Sequence, residues 1–185
     1  MDANEALNKL KDGNARFAAG KSAGHPLSQH RKDTMAGQHP FAIVLTCSDS
    51  RVPPEHIFDA GIGELFVVRT AGNIAGRVSL GSIEYAAEHL HSPLFVVMGH
   101  TSCGAVAAAC ASDSAAGHID TIVKEMQPAV KAGNKEPARV VLENVKCVIA
   151  TIRSKSHALS NLEKEGKLKI VGAVYSLDTG AVTLL

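Results

Sequence analysis

The fold of this chain is decided by the stretch FAIVLTCSDSR, residues 41–51. Its first six residues form an apolar run that does not alternate with polar residues, which is typical of a strand buried on both faces of a parallel sheet. Three side chains capable of chemistry, Cys47, Asp49 and Arg51, follow this run at once. Because α/β folds bind their ligands at the carboxyl ends of parallel strands, the stretch predicts a functional site directly after a buried strand.

Three further apolar runs of the same kind follow, at residues 65–69, 94–98 and 170–175. Strands that alternate with helices are typical of an α/β fold, so we expect a central, mainly parallel β-sheet of four strands flanked by helices. The helical patterns cover residues 79–90, 103–111, 118–131 (kinked or ended near Pro128), 137–154, and a short helix with a capping box from Ser160 to Glu163 that ends at Gly166.

The two ends of the chain carry weaker patterns. Residues 4–19 have apolar side chains at near-helical spacing, and Gly13 predicts that this helix weakens or breaks there. Residues 21–40 are polar and hold two prolines and two glycines, which favours a long arm or loop. Residues 182–184 follow a turn and are predicted to pair antiparallel at the edge of the sheet.

The composition excludes several classes of protein. The 19 Lys and Arg residues nearly balance the 18 Asp and Glu residues, for a net charge of +1, whereas nucleic-acid-binding domains normally carry a basic excess. No apolar run approaches the ~20 residues of a membrane span, and the first residues lack the pattern of a secretory signal. Four Cys residues are too few for a disulfide scaffold. We therefore expect one domain, residues 1–185, in the cytoplasm with reduced thiols.

A second group of reactive side chains follows the third apolar run, in GHTSCG, residues 99–104. Parallel strands would bring His100 and Cys103 to the same edge of the sheet as Cys47. Two thiolates and one imidazole leave one open position on a tetrahedral Zn²⁺, which is the pattern of a catalytic rather than a structural zinc site. Cys103 is also expected to open a helix, whose N-terminal dipole would lower the pKa of its thiol.

The same three residues have other interpretations. A lone Cys is most often a small buried apolar side chain, and a His near a strand end is commonly only hydrogen-bonded. A disulfide between Cys47 and Cys103 is a further possibility, disfavoured in a reducing cytosol. Asp49 and Arg51 favour the metal site, because an Arg fork can hold a carboxylate in one orientation beside the metal.

Cys-x-Asp-x-Arg followed by His-x-x-Cys resembles the zinc signature of the β-class carbonic anhydrases. The resemblance implies that Cys47, His100 and Cys103 bind one Zn²⁺ per chain. It implies the reversible hydration of carbon dioxide to bicarbonate and a proton by hydroxide on that zinc, with activity that rises at alkaline pH. Further segments that resemble the family, in the same order, are residues 13–17, 38–40, 63–73 and 82–86.

The resemblance also implies roles for the acid and base of the signature. Asp49 would accept a hydrogen bond from the zinc-bound water, and Arg51 would keep Asp49 ionised and oriented. In some family members this carboxylate instead becomes a fourth zinc ligand and closes the site, with a regulatory bicarbonate held by a Trp. That position is Val44 here and the chain has no Trp, although Tyr175 matches the Tyr of the same pocket. We expect Asp49 to stay off the metal near neutral pH.

The substrate pocket of the family is narrow, mostly apolar and built across a dimer interface. The resemblance therefore implies a homodimer, or a tetramer made from dimers, in which residues 1–36 form an N-terminal helical arm that packs on a partner subunit. The residues that resemble the pocket lining are Gln38, Phe66, Ala71, Tyr85 and Gly104.

Other functions stay open at this point. Relatives of the family hydrolyse carbon disulfide or carbonyl sulfide with the same ligands, and this is the main alternative. A zinc or bicarbonate sensor without catalysis is disfavoured by the Asp49 and Arg51 pair. A redox protein is weaker still, because no C-x-x-C motif is present. Cys110 and Cys147 are interpreted as core thiols.

Overall fold

A computed structural model describes residues 1–185, which are organised around one five-stranded sheet. The strand order is β2-β1-β3-β4-β5; the first four strands are parallel and the last is antiparallel, as the sequence predicted. The strands are β1 (Ala42–Cys47), β2 (Leu65–Thr70), β3 (Leu94–His100), β4 (Lys169–Tyr175) and β5 (Val182–Leu184).

Eight α-helices flank the sheet, and a short 3₁₀ turn, Ala71–Asn73, follows β2. None of the helices combines the length and the apolar composition that a membrane span requires. The helices are α1 (Ala3–Ala18), α2 (Leu27–Asp33), α3 (Pro54–Ile57), α4 (Arg77–Glu88), α5 (Gly104–Ala111), α6 (Ile119–Ala132), α7 (Pro137–Lys155) and α8 (His157–Lys164).

The core consists of apolar layers on both faces of the sheet. Buried side chains of α4, α7 and α8 cover one face, and those of α1 and the α3 segment cover the other. A third cluster lies where α5, α6 and α7 meet the carboxyl ends of the strands, and it includes Cys47 and Cys103. The reactive thiols are therefore walled by helices and withdrawn from solvent.

The apolar runs correctly predicted strands, but the expected burial on both faces holds only for the central ones. Every residue of β1 and β3 is buried. In β2 the side chains are only partly buried and Arg69 is exposed. The reason is position, since β2 is an edge strand with a neighbour on one side only.

Two helices continue where the sequence predicted a break. Helix α1 runs through Gly13, where a Cβ would lie 1.9 Å from the carbonyl oxygen of Phe58. This glycine permits a close approach to the neighbouring backbone and does not end the helix. Helix α6 runs through Pro128, because buried residues on both sides of it, among them Met126 and Ala129, pack the helix against the core.

Two further differences concern helix starts. The segment predicted as a loop contains α2, none of whose residues is buried. The last helix begins at His157 rather than at the predicted capping box, because the Ser156 hydroxyl accepts a hydrogen bond from the Leu159 N–H. Ser156 thus caps the helix four residues earlier than the Ser160 that the pattern favoured.

Candidate metal centre

Three potential ligands meet at the carboxyl edge of the sheet. Cys47 is the last residue of β1, His100 is the last residue of β3, and Cys103 directly precedes α5. All three are buried, and their ligand atoms lie within 4.8 Å of one another. The two Sγ atoms are 4.0 Å apart. Because β1 and β3 are adjacent parallel strands, residues far apart in the sequence converge at one point.

The imidazole of His100 is oriented for a metal. Its Nδ1 lies 2.9 Å from the carbonyl oxygen of Thr101, so a proton on Nδ1 can be donated to that oxygen. Its Nε2 is buried and has no hydrogen-bond partner. Buried polar atoms are nearly always satisfied, and metal-binding histidines typically donate the other ring N–H to a carbonyl or carboxylate. The unpartnered Nε2, together with two nearby thiols, fits a zinc ion.

The surroundings of Cys47 favour its thiolate. The pKa of Cys47 is lowered to about 4, chiefly by the contact with the Cys103 thiol and next by the nearby His100. The N–H groups of Asp49 and Gly72, at 3.4 and 3.3 Å from the Sγ, act in the same direction. The contact between the two thiols raises the pKa of Cys103, because a second anion would form beside the first. The sequence had predicted a lowered pKa for Cys103; the N–H groups at the start of α5 act in that direction but are outweighed.

Asp49 and Arg51 form a two-pronged ion pair at the mouth of the site. The guanidinium Nε and Nη2 of Arg51 donate to the two carboxylate oxygens of Asp49 at 2.9 and 2.8 Å. These bonds hold the pKa of Asp49 well below its usual range. The carboxylate oxygen Oδ2 lies 3.9 Å from Nε2 of His100, so Asp49 faces the ligand atoms as an ionised hydrogen-bond acceptor.

Arg69 holds the backbone of the site, a contact that the sequence did not predict. Its Nε donates to the carbonyl oxygen of Cys47 at 3.0 Å, and its Nη2 donates to that of Asp49 at 2.6 Å. The guanidinium therefore ties β2 to the loop that carries both side chains. An Arg at the end of an otherwise apolar strand is the signal that could have indicated this contact.

The five predicted pocket residues separate into two groups. Gly104 follows Cys103 at the start of α5, and Ala71 precedes Gly72, whose N–H contacts Cys47. Both therefore lie beside the metal ligands.

The other three lie away from the ligands of their own chain. Phe66 on β2 pairs with Ile43 on β1. Ile43 lies four residues before Cys47, so Phe66 is displaced from Cys47 by about 13 Å along the strand direction. Tyr85 lies on α4 with its ring centroid 6.3 Å from that of Phe66. Gln38 precedes β1 and lies at the opposite, amino end of the sheet. One chain thus supplies only part of the expected lining.

Val44 and Tyr175 lie in the apolar core on the face of the sheet that α1 covers. The Tyr175 ring centroid is 6.4 Å from that of Phe17 on α1. Both side chains are therefore used in packing.

Comparison with known proteins agrees with this geometry. The family model described as "Carbonic anhydrase" matches residues 42–182. The chain is 42% identical to "Carbonic anhydrase 2" of Mycobacterium tuberculosis, over 97% of this chain and 91% of the relative. Among solved structures, the β-carbonic anhydrase CcaA superposes with a TM-score of 0.77 at 25% identity, covering 96% and 94% of the two chains. A tetrameric β-carbonic anhydrase of Sordaria macrospora has a TM-score of 0.74 at 26% identity, covering 98% and 97%.

Proposed function

This chain belongs to the β-carbonic anhydrase family, and we propose that it hydrates carbon dioxide reversibly to bicarbonate and a proton at a zinc ion held by Cys47, His100 and Cys103. One observation carries the assignment of the ligands: two buried thiols converge on the buried, unpartnered Nε2 of His100. Zinc bound there would supply a Lewis acid that makes water acidic enough to act as a nucleophile near neutral pH.

The residues around the ligands have distinct roles in this proposal. Asp49 accepts a hydrogen bond from the attacking water and thereby orients the lone pair of the water oxygen. Arg51 keeps the carboxylate ionised and oriented, because its guanidinium donates to both carboxylate oxygens. Since the pKa of Asp49 is lowered, this acceptor is available throughout the pH range in which the enzyme would work. The ion pair leaves Asp49 as an acceptor rather than a fourth ligand near neutral pH.

The substrate pocket is proposed to be completed by a second copy of the chain in a homodimer. Phe66 and Tyr85 lie too far from the ligands of their own chain to contact a substrate there, yet they form a partly exposed aromatic pair. Gln38 lies at the amino end of the sheet, so it too would reach a substrate only in the site of a partner chain. Ala71 and Gly104 would line the pocket from the chain that holds the metal.

Two observations support a dimer with an extended arm. Helix α2 buries no residue in the single chain, which agrees with this part of the predicted arm packing on a partner. Helix α1 instead buries Ala6, Leu7 and Leu10 against its own sheet, so the partner contact is proposed for α2 and not for the whole of residues 1–36. Tetrameric β-carbonic anhydrases are known from Sordaria macrospora, so a tetramer built from such dimers is a second possible assembly.

A cytoplasmic location agrees with ligand thiols that must stay reduced. The sulfur-analogue hydrolase shares the same ligands, and no feature of the site favours it.

The proposal is tested by measuring zinc content and carbon dioxide hydration by stopped flow for the parent, Cys47→Ser and Asp49→Ala. We expect Cys47→Ser to lose zinc and activity together. We expect Asp49→Ala to keep zinc and to lose about 10- to 100-fold in kcat, as other outer residues of metal sites do. An active, zinc-loaded Cys47→Ser variant would contradict the ligand assignment. A zinc-loaded parent without hydration activity at alkaline pH would contradict the reaction and direct the next assay to carbonyl sulfide.

A further inference from the structure

Asn144 is a buried polar residue on the apolar face of α7. It is 2% exposed, and its neighbours on that face, Val141, Val145 and Val148, are also buried. Burying an amide without a partner is costly, so such a residue is expected to have a specific hydrogen bond. The amide Nδ2 of Asn144 donates to the carbonyl oxygen of Gly72 at 2.9 Å. The two residues are 72 positions apart in the sequence.

Gly72 connects this amide to the metal centre. Its own N–H donates to the Sγ of Cys47 at 3.3 Å. Its φ of 68° is left-handed, and a Cβ at this position would lie 1.8 Å from the Cε of Met126, so only glycine fits. Both polar backbone groups of Gly72 are therefore committed, the N–H to a proposed zinc ligand and the carbonyl to Asn144.

Helix α7 is suited to serve as the fixed point of this connection. A Cβ at Gly99 would lie 3.0 Å from Cγ2 of Val145, and one at Gly172 would lie 2.9 Å from its Cγ1. The two glycines thus let α7 lie close against β3 and β4, and Gly99 directly precedes His100. Because close-packed interiors resist displacement, the position of Asn144 relative to the ligands is well defined.

Apart from the Cys47 sulfur, the turn that carries Gly72 has only one other side-chain hydrogen bond. The Thr70 hydroxyl donates to the carbonyl oxygen of Ile74 at 2.8 Å and closes the turn on itself. The neighbouring Asn73 has a buried Nδ2 with no partner, so it does not hold the turn through that atom. Asn144 is therefore the side chain that hydrogen-bonds this turn to the helical layer, while the Ser48 N–H, which donates to the Thr70 carbonyl oxygen at 3.0 Å, ties it to the end of β1.

We propose that Asn144 is a positioning residue for the metal centre, which holds the Gly72 carbonyl so that the Gly72 N–H stays directed at the Cys47 sulfur. The inference rests on the proposed zinc site and adds a residue from a distant helix to it. An N–H···S bond limits the movement of the thiolate, so losing the anchor leaves one ligand less well positioned for the metal. The Asp49 N–H still contacts the same sulfur, and the loss is therefore partial.

The test compares Asn144→Leu and Asn144→Ala with Val148→Ala, a matched control on the same buried face of α7. Zinc affinity is measured by competition with a chromophoric chelator, and the thiolate-to-metal absorption band is recorded for the cobalt-substituted protein. We expect both Asn144 variants to bind zinc about 10-fold more weakly, at the lower end of the range for outer residues of metal sites. We expect their cobalt band to move to longer wavelength, because a thiolate that loses a hydrogen bond gives up an electron more readily. Val148→Ala should lose stability but keep both properties.

Unchanged zinc affinity and an unchanged cobalt band in the Asn144 variants would overturn the inference. So would failure of both variants to fold while Val148→Ala folds, because Asn144 would then serve the fold itself. Either result leaves the proposed function intact if the parent binds zinc and Cys47→Ser does not. A parent protein that binds no zinc would overturn both the proposed function and the role of Asn144, so the parent is measured first.

Discussion

The metal centre and the face formed by β2 and α4 differ in how much of their structure one chain supplies. At the metal centre the ligand atoms are buried and converge within a single chain, with Asp49 already paired. On the other face, Val78 is 85% exposed and Tyr85 is 47% exposed, although both are large apolar or aromatic side chains. The difference agrees with the proposal that one chain supplies the metal ligands and that a second copy completes the wall of the pocket.

The largest effect on activity is expected when the metal centre is disrupted. Cys103→Ser removes one ligand, and we expect loss of zinc with a fall in kcat/KM of about 100- to 10,000-fold, since the metal contributes several kcal/mol to catalysis. The matched control is Cys110→Ser, which changes a second thiol on the adjacent α5. Metal analysis and stopped-flow assays measure both variants. Equal losses in Cys103→Ser and Cys110→Ser would contradict a specific ligand role.

A smaller effect is expected when the exposed face is disrupted. Val78→Asp places an unpaired charge where the partner is proposed to pack, and desolvating such a charge is costly. We expect a monomer by light scattering that still binds one zinc, with kcat/KM reduced about 10- to 100-fold because misplaced pocket residues reduce catalysis. Leu142→Asp, at an exposed Leu on α7, serves as the surface control. A dimeric or fully active Val78→Asp variant would show that this face is not the interface.

The smallest effect concerns the attachment of the amino-terminal residues to their own chain. The Asp59 carboxylate accepts from Arg16 Nε at 2.6 Å and from the Ala23 N–H at 3.0 Å. Burial would raise the pKa of Asp59, but these bonds outweigh it and lower the pKa below its ordinary value. The ionised form is thus favoured by folding, so its stabilisation is full above the ordinary pKa of about 4 and is lost as the pH falls through the lowered value.

We therefore expect Asp59→Asn to reduce the free energy of unfolding by about 1.5–2 kcal/mol at neutral pH, at the lower end of the range for charged hydrogen bonds. The difference from the parent should shrink below about pH 4. Urea denaturation of both proteins across this pH range measures it, with Asp178→Asn as a control at an exposed carboxyl. A difference that does not change with pH would indicate that packing, rather than charge, attaches this segment.

The strands, and the convergence of three candidate ligands, could be predicted because their signals are local. The apolar runs predicted β1 to β4, and the fold class is confirmed. The resemblance to the β-carbonic anhydrases rested on short motifs and is confirmed by the comparisons. The convergence of Cys47, His100 and Cys103 followed from the rule that parallel strands end at one edge.

Other features depended on neighbours that a local pattern does not contain. Gly13 and Pro128 are helix breakers in isolation, yet tertiary packing keeps both helices continuous. The partial burial of β2 follows from its place at the edge of the sheet. The dipole of α5 was expected to lower the pKa of Cys103, whereas the adjacent Cys47 thiol, a neighbour distant in sequence, raises it.

The sequence by itself determined which atoms could bind a metal and what kind of fold would carry them, because side-chain type and apolar spacing are properties of short segments. Only the tertiary structure decided how those atoms are held. It left Nε2 of His100 buried without a partner, and it brought Arg69 to the backbone of Cys47. It also placed Asn144 against Gly72. Hydrogen bonds between distant segments depend on how helices and strands pack, and no periodicity within either segment records that packing.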